Sequence, residues 1–181
     1  MARPRRIKTL NLHVKIVGRL EVPVDRIIAT TNQIFEQAKI SVQLGTVEEL
    51  DISRDGLEFL EPLDVGACNS DSRPSEDQRQ LSTFRANVDR REAVVYFCRT
   101  VLGRHSLGGC STHPRGVHMV VVASGAVNSA LAHELGHLLG LEHSGDVSFN
   151  KLMNSAVDEF PPALELTEPE IIQMRRSNLL T

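Results

Sequence analysis

Between residues 128 and 144 the chain reads NSALAHELGHLLGLEHS, a segment that leaves the backbone around it few options. His133 and His137 are four apart, so on a helix they stand one above the other and can share one ion. Ala132, Leu135, Leu138, Leu139 and Leu141 supply apolar packing around that helix. Gly140 is the residue expected where a helix stops in a left-handed turn. A chain that turns back there can bring His143 to the same ion from outside the helix. Neutral imidazoles bind Zn²⁺ at about 2.0–2.1 Å, and three of them leave a fourth position open, the mark of a catalytic site. Glu134, beside the first ligand, can reach a metal-bound water without joining the coordination sphere. Five fixed positions at about one in twenty each make a chance match on the order of one in 10,000. The plain alternative is a helix with two solvated histidines and a third in a loop.

The rest of the chain reads as strands and one strong helix. Leu10, Leu12, Val14 and Ile16 alternate with Asn11, His13 and Lys15, which predicts a strand. Residues from about 24 to 38 switch to helical spacing, with Ile27, Ile28, Thr31, Ile34, Phe35 and Ala38 on one stripe and Asp25 in the first turn. Ile40, Val42 and Leu44 form a second alternating strand. Strand, helix, strand at this spacing predicts a crossover between parallel strands. Residues 51–75 read as an irregular surface excursion, and 76–88 as a helix carrying Leu81, Phe84 and Val88. AVVYFC (93–98) and VHMVVVA (117–123) are apolar runs and so buried strands. Between them, 102–116 is too rich in Gly, Pro and polar residues for a regular element.

No repeat or linker divides the 181 residues, which suits one domain. Residues 1–8 read as a flexible N-terminus, 9–127 as a sheet-and-helix part, and 128–181 as the active-site helix with the C-terminal remainder of the chain. With 20 Lys+Arg against 23 Asp+Glu, the net charge of -3 argues against a general nucleic-acid binder. Aromatic residues make up 4% of the chain and Trp is absent, so base-stacking platforms are not expected either. No apolar run approaches the roughly 18 residues of a transmembrane helix, and no membrane partner is expected. MARPRRIK is basic like the start of a signal peptide, but His13, Lys15 and Arg19 interrupt what would be its core. The expectation is a leaderless chain, or a secreted one already trimmed. Three cysteines are too few for a disulfide framework. One bridge, with Cys98 and Cys110 as the nearest pair, and three reduced thiols are the two readings, with Cys98 most simply in the core.

HELGHLLGLEH followed ten residues later by Met153 resembles the metzincin clan of zinc endopeptidases, with its extended zinc motif and Met-turn. Ser144 after the third histidine is similar to the matrixin branch. So is LTEPEIIQMRR, where Thr167 and Glu170 form a capping box opening a C-terminal helix. The resemblance implies an α/β (α+β) zincin fold: a twisted mixed sheet with an antiparallel edge strand, an active-site helix and a C-terminal helix. It implies one catalytic zinc on His133, His137 and His143, with Glu134 as general base in the hydrolysis of peptide bonds. Met153 would form the floor beneath the zinc, and residues 154–162 would wall the pocket for the side chain after the scissile bond. VHMVVVA, with Val117, His118, Met119, Val120 and Val121, would be the edge strand on which an extended peptide pairs.

The sequence departs from the clan in places. Ser155 stands where some branches carry a tyrosine two residues after the methionine. The Gly/Asp-rich calcium and second-zinc segments are absent, and with only eight residues ahead of the first strand no propeptide is expected. His105, His113 and His118 could make a second metal site, though surface or core histidines are the simpler reading. Cys68 offers an intramolecular thiolate inhibitor as one alternative to a plain thiol. The acidic residues from Asp158 to Glu170 read as a solvated face. The expected partner is a peptide or protein substrate, with a separate inhibitor or regulator for control and a monomer favoured. Two rivals to the protease are a metal-retaining module that holds peptides without cutting them, and a zinc hydrolase of a non-peptide amide or ester.

Overall fold

A computed structural model describes residues 5–17, 19–51, 53, 56, 62–68, 73–103, 108–111, 116–126, 128–144, 150–154 and 164–181. Strand β1 (Lys8–Val17) buries Leu10, Leu12 and Val14 completely, as the alternation predicts. Helix α1 (Val24–Phe35) leads from it to β2 (Ile40–Leu50), which runs parallel to β1, so the predicted crossover is present. β2 continues six residues past Leu44, and its register shifts where it passes Leu12 and Val14.

β1 pairs on its other side with β4 (Ala93–Cys98), and β4 with β7 (Met119–Ala123), all parallel. Both inner strands are apolar along their whole length because both faces of the sheet are covered. On one face α1 and two further helices, α3 (Ala130–Leu138) and α4 (Glu168–Arg175), close the larger core, which runs from Leu10 to Leu180. The opposite face carries a smaller core with Leu63, Val65, Leu81, Tyr96 and Met119. It lies under α2 (Glu76–Leu81) and a two-stranded sheet of β3 (Leu63–Asp64) with β5 (Val101–Leu102). α2 is shorter than the 76–88 span expected. Its capping box of Ser75 and Gln78 starts it, and a 3-10 turn over Ser82–Phe84 ends it.

Three expectations change here. The run 102–116 contains a strand, β6 (Gly109–Cys110), antiparallel to β7. The sheet order is therefore β2-β1-β4-β7-β6, and VHMVVVA is an inner strand rather than the edge. The apolar run marks burial on both faces, which belongs to an inner position. The third concerns the disulfide, which joins Cys68 to Cys110 with 5.8 Å between Cα atoms, and leaves Cys98 buried outside it. Cys98 and Cys110 are near in sequence, but β7 lies between their strands. Two strand spacings put them about 9–10 Å apart, beyond bridging distance.

The C-terminal helix opens on the predicted box, with Thr167 capping Glu170 N–H at 3.4 Å and the Glu170 carboxylate accepting from Thr167 N–H at 2.6 Å. Thr181 at the chain end exchanges two backbone hydrogen bonds with Thr9, at 2.9 and 3.0 Å, which ties the end of the chain to β1. No described helix is long and apolar enough to cross a membrane.

Candidate metal centre

α3 carries His133, Glu134 and His137 and ends at Leu138, two residues before Gly140, which adopts φ +97°. That left-handed turn lets Gly140 N–H donate to His137 O at 2.9 Å and Leu141 N–H to Gly136 O at 3.0 Å. The chain reverses there and returns His143 to the face of the helix that carries His133 and His137. The three Nε2 atoms then stand 3.1 Å (His137–His143), 3.2 Å (His133–His137) and 3.3 Å (His133–His143) apart.

Hydrogen bonding decides the state of these rings. His133 Nδ1 lies 2.7 Å from Leu152 O, and His137 Nδ1 lies 2.8 Å from Leu141 O. A carbonyl oxygen only accepts, so both Nδ1 atoms carry the proton and both Nε2 atoms present bare lone pairs. Two lone pairs at 3.2 Å repel unless a cation lies between them. Three nitrogens around a tetrahedral Zn²⁺ stand about 3.3–3.4 Å from one another, given bond lengths of about 2.0–2.1 Å. The triangle fits that ion.

Burial makes the same selection electrostatically. It lowers His133 to about 4, with the neighbouring His137 ring adding to the effect against the hydrogen bond to Leu152. It lowers His137 and His143 too, so all three are held neutral near pH 7, as ligation requires. Burial falls from His133 through His137 to the exposed His143, which leaves the centre open to solvent on that side. Glu134 is buried, and loss of water alone pushes its carboxyl up to about 8. A divalent cation nearby would favour its ionised form.

Beneath α3 lies Met153, fully buried. A methyl group at Gly136 would come within 2.8 Å of its sulfur, so the helix gives up a side chain where the methionine packs. Ser144 N–H donates to Met153 O at 2.8 Å. The turn holding Met153 is thus tied to the histidine segment through both Leu152 and Met153.

The sequence profile of metallo-peptidase family M12B, reprolysin-like, matches residues 23–144, two thirds of the chain, from the first turn of α1 to just past His143. The chain belongs to this metallopeptidase family. The metallopeptidase has zinc as its cofactor, in keeping with its three neutral imidazoles. Its fold is similar to that of archaemetzincin from Methanopyrus kandleri, with a TM-score of 0.55 and 16% identity over 94% of this chain and 95% of that one. A zinc-dependent peptidase from Methanocorpusculum labreanum has a TM-score of 0.48 and 16% identity over 90% and 99%. A search of curated proteins returns no match.

Within the metallopeptidase, His133, His137 and His143 come together, with Glu134, Gly140 and Met153 about them. Val117, His118, Met119, Val120 and Val121 do not flank an open edge. Met119, Val120 and Val121 are fully buried, and His118 O accepts from Arg85 Nη1 and Val94 N–H, each at 2.9 Å. Among the described residues the edge on that side of the sheet belongs to Gly109 and Cys110, which the sequence reading missed. Their only signal was the pair Gly108–Gly109 before a cysteine, because two residues cannot show a period. Cys68 holds its sulfur in the disulfide, so the thiolate-inhibitor alternative falls. Asn154 is buried, while 155–162 of the expected pocket wall, with His105 and His113, lie outside the described residues. Among the described residues, the three histidines are the one set of His, Cys, Asp or Glu that converges as a metal-binding group.

Proposed function

We propose that residues 1–181 form a single catalytic domain, a zinc-dependent endopeptidase in which Glu134 is the general base. The observation that carries this reading is the meeting of three imidazole Nε2 atoms within 3.1–3.3 Å, those of His133 and His137 bare, beside the buried carboxyl of Glu134 on α3. His133, His137 and His143 hold the ion. When bound, zinc supplies Lewis-acid chemistry, polarising water and the scissile carbonyl. Glu134 accepts the proton of the attacking water and delivers it to the leaving amine, so its side chain must be ionised at the start and must face the fourth position. The substrate lies extended along the outer edge of β6, which carries no further strand among the described residues. This replaces the role first given to 117–121. Ser144 and the Thr167–Glu170 box, the traits shared with the matrixin branch, act locally here. One ties the chain to the Met153 turn and the other starts α4, so the family reading follows the reprolysin-like match.

The test is a digest of a peptide library by zinc-loaded protein, with and without chelator, read by mass spectrometry. Cuts inside the peptides that vanish on chelation support the proposal, and trimming from the ends alone overturns the endopeptidase claim. Peptides retained but uncut would mark a binding module. Turnover confined to esters or non-peptide amides would mark a different hydrolase. Glu134→Ala should lower kcat by about 10²–10⁴-fold while the protein keeps one zinc per chain. Normal turnover by that variant would remove the base assignment.

A further inference from the structure

On β6, a Cβ added to Gly109 would stand 2.7 Å from Glu134 Cγ and 2.9 Å from Glu134 Oε1, with Val121 O also at 2.7 Å. Real side chains do not approach so closely, so one of the partners would have to move. The strand is poorly placed to do so. Gly109 and Cys110 are paired with Val122 and Val121, and Ala123 N–H donates to Gly108 O at 2.8 Å. Cys110 is buried, bridged to Cys68, and its sulfur accepts from Nε2 of the buried Gln78 at 3.4 Å. The helix is equally constrained, because His133 and His137 on either side of Glu134 are bonded to Leu152 O and Leu141 O. The contact with Val121 O can be relieved only by a shift of the strand, whereas the contact with Glu134 can be relieved by its side chain, which has rotatable bonds.

We propose that Gly109 is a positioning residue: the side chain it lacks is the slot in which the Glu134 carboxylate stands. The strand offered to the peptide and the group offered to the water are then in direct contact. A substrate seated on β6 is thereby registered against the base, with no intervening flexible side chain. The inference rests on the reading of Glu134 as the base, and it adds a demand the zinc motif does not contain, a glycine 25 positions upstream of that glutamate.

The experiment is a cycle of Gly109→Ala, Glu134→Ala and the double variant, each as zinc-loaded full chain. Zinc content, kcat, KM and Tm are measured for each. Gly109→Ala should lower kcat by about 10–100-fold with KM within about twofold and zinc near one per chain, the pattern of a displaced catalytic group. Its Tm loss should be smaller in the Glu134→Ala background, because alanine at 134 empties the slot. The clash with Val121 O is common to both backgrounds and cancels in the cycle. Unchanged kcat, or equal Tm losses in the two backgrounds, would overturn the proposal. If the single variant does not fold, the double variant decides: folding supports the slot, and failure to fold places the clash in the strand backbone and overturns it. Should Glu134→Ala turn over normally while the Tm coupling persists, the base reading fails and the packing contact stands by itself.

Discussion

A histidine offers a metal one nitrogen, and in His133 and His137 backbone carbonyls choose which. Leu152 O and Leu141 O each take the Nδ1 proton, so the Nε2 lone pairs converge with no rotamer search left to make. Glu134 has the opposite character, an acidic group largely withdrawn from bulk water, with 7% of its surface exposed. That makes a testable statement about the zinc-free protein. The folded carboxyl sits at about 8 against an ordinary value of 4.5, so between these values the folded chain binds more protons than the unfolded one. Stability then falls as pH rises through the window. The lowered histidines act in the reverse sense below 6.5, so of these four groups Glu134 governs the slope between pH 6.5 and 8. Chelated protein should lose Tm across that range, and Glu134→Gln should flatten the slope. An equal slope in both proteins would refute the buried-acid account. At this scale the histidine cluster was legible in the sequence, because one helix and one turn bring it together. Gly109 was not, because the atoms it makes room for come from a residue on another element.

Elements differ in how much of themselves they carry. α3 is dictated locally: apolar spacing, two histidines a turn apart, and a glycine at φ +97° that ends it. β6 is two residues long and exists through its partners, β7 on one side and the Cys68–Cys110 bridge behind. The bridge spans 42 positions, for which the chain-entropy account gives about 4 kcal/mol of stabilisation. Replacing both cysteines by serine should therefore lower Tm. It should also raise amide hydrogen exchange at residues 109–110 before that of β4, and reduce kcat at temperatures where the protein is still folded. A Tm drop with exchange at 109–110 unaltered would mean that the bridge holds some other part of the fold.

Over the whole molecule, the ion would clamp α3 to the chain that turns back after it. His133 and His137 stand on a helix packed against the sheet, whereas His143 belongs to the returning chain that is hydrogen-bonded to the Met153 turn. Metal binding to the folded state alone stabilises it by mass action, about 4 kcal/mol at a free concentration 1,000 times Kd. Zinc removal should thus lower Tm, and readdition restore it, in wild type and in Glu134→Ala alike. His143→Ala should lose most of the response. A response unaffected by that change would place the ion elsewhere.

The sequence by itself determined the crossover of β1, α1 and β2, the burial of 93–98 and 119–122, the helix of the site with its turn, and the three histidines that converge. Each is written in spacings of two, three or four residues within a single segment, and such patterns act before the chain is packed. Only the tertiary structure decided which strand stands at the edge, which cysteine meets Cys68, and what touches the Glu134 carboxylate. The physical reason is the same in all three. They are contacts between segments some 10 to 40 residues apart, and their energies belong to the packed sheet rather than to any local stretch of chain.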